Sequence, residues 1–110
     1  MTSSEVIVRE LADIRRALPK LTEEIAAAEE RLAKATRHLE EAKARAFLDS
    51  QGAVKVREMQ TVMATSLVAA ARDDAAAVLR YLKMRRSDLE TLQSSLQTTA
   101  KLLEVHHAAS

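Results

Sequence analysis

From Ile7 to Ala46 apolar residues return in steps that alternate four and three: Ile7, Leu11, Ile14, Leu18, Leu21, Ile25, Ala28, Leu32, Ala35, Leu39, Ala42, Ala46. That repeat keeps one seam of a helix turned toward a partner along a left-handed supercoil. Little else can satisfy it. A strand alternates every second residue and needs turns, and turns need Gly, Pro, Asn or Asp. The chain of 110 residues has one Gly, one Pro and no Asn. Its bulk is Ala, Leu, Glu, Lys, Arg and Gln, the strong helix formers. An all-α chain is therefore expected, long enough for one domain.

Within the first helix one register of the repeat holds Leu and Ile, and the other turns to Ala after Leu21. Thr2 with Glu5 has the spacing of a capping box. Pro19 interrupts the pattern chemically, since an interior proline loses a hydrogen bond at a cost of about 3 kcal/mol. The repeat keeps its phase across it, so a kink or short break is expected in a helix over about 4–49. "DSQGAVK" is the one strong turn, and Gly52 the one residue suited to a left-handed backbone. A turn over about 50–53 then leads to a second helix over about 53–105.

A short turn between long helices makes an antiparallel hairpin, here coiled-coil-like. The second helix offers Val54, Thr61, Val68, Ala75, Leu82, Leu89, Leu96 and Leu103 as one register of its seam. Ala64, Ala71, Val78, Arg85, Leu92 and Thr99 are expected as the other. With the tip near Ser50, Ala28, Ala35 and Ala42 face the Ala-rich residues 64–77. Leu96, Leu102, Leu103 and Val105 then reach past the start of helix one. Phe47 is expected to close the tip against Val54 or Val56.

Residues 61–71, "TVMATSLVAAA", carry no charge. A seam uses Ala64, Val68 and Ala71 and leaves Met59, Val62, Met63, Leu67 and Ala70 pointing elsewhere. A helix apolar on several faces belongs in a bundle interior, and two helices have none. The expectation is association, as a homodimer forming a four-helix bundle or with another protein. The interface residues would be Met59, Val62, Met63, Leu67, Ala70, Leu96 and Leu103, and the bundle core would include Leu67, Val68, Val78, Leu82 and Leu89.

Formal net charge is +1, so no partner is implied by the whole-molecule field. Locally, Arg80, Lys83, Arg85 and Arg86 fall level with Arg15, Arg16 and Lys20 as a basic belt. Such a belt suits an acidic protein or a backbone-directed nucleic-acid contact. Asp13, Glu23, Glu24 and Asp88 lie near enough to neutralise part of it. With Phe47 and Tyr81 as the whole aromatic content, no base-stacking platform exists. Arg85 on the seam is expected to lay its stem inward and its head in solvent.

No pattern carries chemistry. Thr61, Thr65 and Ser66 are expected to bond back to helix carbonyls. Glu104 and His107 make one E-x-x-H pair where a di-metal bundle needs two pairs and further carboxylates. His38 stands on a charged face. Asp73 and Asp74 are adjacent and diverge on a helix. No metal, cofactor or catalysis is expected. Without Cys there is no disulfide. The N-terminus lacks the pattern of a signal peptide. Residues 59–71 are shorter than the roughly 20 apolar residues of a membrane span. These features point to a cytoplasmic protein.

The tip segment "ARAFLDSQGAVKVREMQTVMAT" resembles small helical proteins encoded by phages and prophages of actinobacteria and related bacteria. In these a helix ending in R-A-[FY]-L leads to a G-x-V turn. The matching residues are Arg45, Ala46, Phe47, Leu48, Gly52, Val54 and Arg57. Ala53 departs from the pattern, which favours a Ser or Thr cap. The resemblance implies a phage-borne accessory or regulatory adaptor acting on a host or phage protein. Its alternative implication is an accessory of replication or recombination. It carries over no catalytic residue.

Overall fold

The computed structural model describes residues 2–109. Among these there are three helices, α1 (Ser3–Asp49), α2 (Val54–Ala64) and α3 (Ser66–Ala109), and no strand. The capping box forms at the start of α1: the Glu5 amide donates to Thr2 Oγ1, and the Thr2 amide to Glu5 Oε2, both at 3.2 Å. α1 runs through Pro19 as one helix. Both Pro19 and Arg15 are exposed, so the carbonyl that loses its donor lies on the watered side.

Two compact units make up the chain, Met1–Ile25 with Leu82–Ser110 (the open-end unit) and Ala26–Tyr81 (the tip unit). In the open-end unit Ile7, Leu11, Ala100 and Leu103 line one hollow, so the start of α1 lies beside the end of α3. Ile7, Ile14, Leu21 and Ile25 are buried there. Each such side chain contributes about 1.5–3 kcal/mol when covered. In the tip unit Ala35 and His38 lie beside Val68 and Ala71, and Ala42 and Ala46 beside Gln60 and Ala64. Both units are thus antiparallel helix pairs. The buried residues of the tip unit are smaller: Ala28, Leu39, Leu79, Thr61 and Thr65.

Every expected seam position of α1 is buried or half-buried. On the second helix the register Thr61, Val68, Ala75, Leu82, Leu89, Leu96 and Leu103 also turns inward, while Val54 is exposed. The other register is corrected by one residue. Thr65, Arg72, Leu79, Arg86, Gln93 and Ala100 take the inward positions, and Ala64, Ala71, Val78, Arg85, Leu92 and Thr99 are exposed. Leu79 is 9% exposed and Val78 47%. The polar members are tolerated for local reasons. The Thr65 hydroxyl donates to the Thr61 carbonyl at 2.8 Å, satisfying itself inside the helix. Arg72 and Arg86 lay their stems on the seam and pair outward, with Asp73 at 3.6 Å and Glu90 at 3.8 Å.

Thr65 separates α2 from α3 with φ −106° and ψ 10°. The i→i−4 ladder still passes through it, since its amide donates to the Thr61 carbonyl and its carbonyl accepts from Ala69. The Thr61 hydroxyl also back-bonds, to the Arg57 carbonyl at 2.8 Å. Two such bonds in succession compete with the helical ladder and bend a helix. Thr98 and Thr99 make the same bonds within α3 without a break, so the back-bonds accompany the notch at Thr65 and do not by themselves account for it.

The tip is closed by Arg57 rather than by valines. Its guanidinium lies 4.1 Å from the Phe47 ring centroid. Its Nη2 donates to the Phe47 carbonyl at 2.8 Å and its Nε to Ser50 Oγ at 3.2 Å. Ser50 Oγ donates to the same Phe47 carbonyl at 2.6 Å. The C-terminus of α1 is thereby capped by a cation from the next helix, which also suits the helix dipole. Val54 and Val56 stay exposed. Gly52 turns the chain with φ +109°.

Candidate interaction face

Met59, Met63, Leu67 and Ala70 recur at three to four residues on α2 and α3, on the side away from the seam of Thr61, Thr65, Val68 and Arg72. All four are exposed. Met63 is 72% exposed and Leu67 85%. Val62 flanks the stripe and is exposed as well. Val56, Ala77, Val78 and Tyr81 extend the same outer side, and Asp74 is the one charge within it among the described residues. The composition is what makes the stripe: the chain from Thr61 to Ala71 has nothing polar except hydroxyls, so some apolar side must be outermost.

Two recesses border this side in the tip unit. One, of about 430 Å³, has Ala42, Arg45, Asp49, Gln60 and Thr65 on its walls. The other, of about 270 Å³, is lined by Ala35, His38, Leu67, Val68 and Ala71. Ala64 and Ala71, expected on the seam, instead border these recesses. Their small side chains are why the surface dips there.

Leu96 and Leu103 are half-buried within the open-end unit, where Leu103 shares a hollow of about 160 Å³ with Ile7, Val8 and Leu11. They do not reach beyond α1. Each residue of α1 meets a later residue of the second helix than a tip at Ser50 gives, as Ile7 and Leu11 beside Leu103 and Ala100 show. Leu102 and Val105 remain 64% and 66% exposed.

Arg15, Arg16, Lys20, Lys83 and Arg85 are exposed in the open-end unit, and Arg80 is exposed in the tip unit. Arg86 instead turns to the seam and to Glu90, one helical turn further on. Arg16 is paired with Asp13.

The hydroxyls of Thr61 and Thr65 are committed to backbone carbonyls, leaving no activated nucleophile there. Among the described residues no three of His, Cys, Asp and Glu are placed to hold a metal ion. Nor is any helix among them long and apolar enough to cross a membrane. The tip clamp of Arg57 was missed by sequence reasoning, because Arg57 lies ten residues from Phe47 and no local rule joins them.

Fold and surface together define an all-helical chain whose two units are each an antiparallel helix pair, with an exposed apolar side on the tip unit. No family model matches the chain, and no curated protein or solved structure does either.

Proposed function

We propose that this chain is an association module that works by binding another polypeptide and not by catalysis. In this reading it is a cytoplasmic accessory or regulatory adaptor, phage-borne as the resemblance at its tip implies. The observation that carries the proposal is the stripe Met59, Met63, Leu67 and Ala70, set opposite the side that α1 covers. Helical spacing of the stripe calls for a helical partner, whose addition turns a two-helix seam into a bundle. Each Leu or Met so covered contributes about 1.5–3 kcal/mol. Methionines in the stripe adapt their shape to what they meet.

Sizing the chain in native lysate tests the reading. The parent chain is expected in a species larger than the free hairpin. Met63→Asp and Leu67→Asp should each release a smaller species with helical circular dichroism retained. Elution of both variants with the parent would refute the stripe as an interface.

A further inference from the structure

The outer side of the tip unit carries both halves of a contact. Leu67, at 85% exposed, projects further into solvent than any other large apolar side chain among the described residues. It forms one wall of the 270 Å³ recess whose other walls are Ala35, His38, Val68 and Ala71. A projection and a recess side by side on one surface are the elements of an isologous interface. A twofold axis at Leu67 brings each Leu67 against the edge of the other copy's recess, and the contact closes.

Charge follows the same operation. Asp74 lies seven residues after Leu67, and Gln60 seven residues before it. Gln60 shares its groove with Arg45 of α1. Antiparallel docking about Leu67 therefore brings Asp74 of the second copy over the groove that Arg45 shares with Asp49, within reach of the long Arg45 side chain, and the approach occurs twice. Neither residue is ion-paired among the described residues, although Asp49 lines the same groove as Arg45.

The area is of the right size. Val56, Met63, Leu67, Val78 and Tyr81 are 49, 72, 85, 47 and 61% exposed. At roughly 200 Å² for a fully exposed large side chain they present on the order of 600 Å². The alanine recess and polar rim bring this near the roughly 800 Å² per partner of a standard stable interface.

We infer that the occupant of this side is a second copy of the chain, docked antiparallel about a twofold axis at Leu67, with Asp74 of the other copy within reach of Arg45. The inference rests on the stripe being an association surface, and it names the occupant.

The test is light scattering or sedimentation of the purified full chain across about 1–100 µM. The expected result is a dimer at the upper end, reduced to monomer by Leu67→Asp. Arg45→Asp and Asp74→Arg are each expected to weaken the dimer about tenfold, because reversal replaces attraction by repulsion at two symmetric places. The combined exchange should recover parental affinity to within about threefold. If Leu67→Asp loses helicity, the exposed charge exchange decides alone. A purified monomer throughout the range, or a double exchange as weak as the summed single changes, overturns the second copy. A purified monomer that still enters a larger, Leu67-dependent complex in lysate overturns the second copy and leaves the association reading standing. A monomer with no such complex overturns both.

Discussion

Truncating Arg57 to Ala should unlatch the hairpin tip. The guanidinium makes two hydrogen bonds, to the Phe47 carbonyl at 2.8 Å and to Ser50 Oγ at 3.2 Å, and stacks 4.1 Å from the Phe47 centroid. A hydrogen bond to a charged group contributes about 1.5–3 kcal/mol. The lower end applies, because Arg57 is half-buried and the Phe47 carbonyl keeps the Ser50 hydroxyl as a donor. The stack adds about 0.5–1 kcal/mol at such a site. Arg57→Ala is therefore expected to cost about 2 kcal/mol, a fall in Tm of about 8 °C for a chain of this length. Urea and thermal unfolding followed by circular dichroism, at one fixed protein concentration, measure it. Arg57→Lys keeps the charge but neither the planar face nor the fork, and should recover less than half of the loss. A double-mutant cycle with Phe47→Leu should return about 0.5–1 kcal/mol of coupling. A loss below about 0.5 kcal/mol for Arg57→Ala, within the range of ordinary surface changes, would show that the latch does not hold the tip.

Two further outcomes separate the observed register from the expected one and test the turn. Arg86→Leu fills a half-buried seam position and should raise the urea midpoint by the equivalent of about 1–2 kcal/mol, whereas Arg85→Leu on the exposed side should change stability by under about 0.5 kcal/mol. The reverse ranking would restore the register first expected. Gly52→Ala should cost about 1–2 kcal/mol in the same unfolding assay, because φ is +109° there. An added Cβ would sit 3.6 Å from Val56 Cγ1, an ordinary contact, so a near-neutral Gly52→Ala would mean that the turn relaxes to another backbone conformation.

Helix content and the seam of α1 were legible because large aliphatics mark both registers early and no polar residue competes for them. In the second helix only the register with Val68, Leu82 and Leu89 announces itself. For the other, Ala64, Ala71, Val78 and Leu92 look more apolar than Thr65, Arg72, Arg86 and Gln93, yet the latter turn inward. Threonine hides its hydroxyl in its own helix, and arginine is amphipathic along its length, so residue type misleads at these places. The outer stripe was readable despite that error, since Met59, Met63 and Leu67 lie outside either choice of seam. What Arg57 does was not readable, because its partners are joined to it only through the turn.

The two units differ in what glues them, and this has a consequence for binding. Branched and long aliphatics are the buried residues of the open-end unit, whereas in the tip unit one alanine, two threonines and two leucines are buried and Leu32 and Val68 only half-buried. Less apolar area leaves water per turn in the tip, so its local opening free energy is expected to be lower and its seam amides to exchange ahead of those on the seam of α1 in the open-end unit. A chain that settles on the tip is therefore expected to slow that opening, with part of its affinity spent on order. Occupancy of the outer side becomes readable as slowed deuterium uptake in α2 and the start of α3.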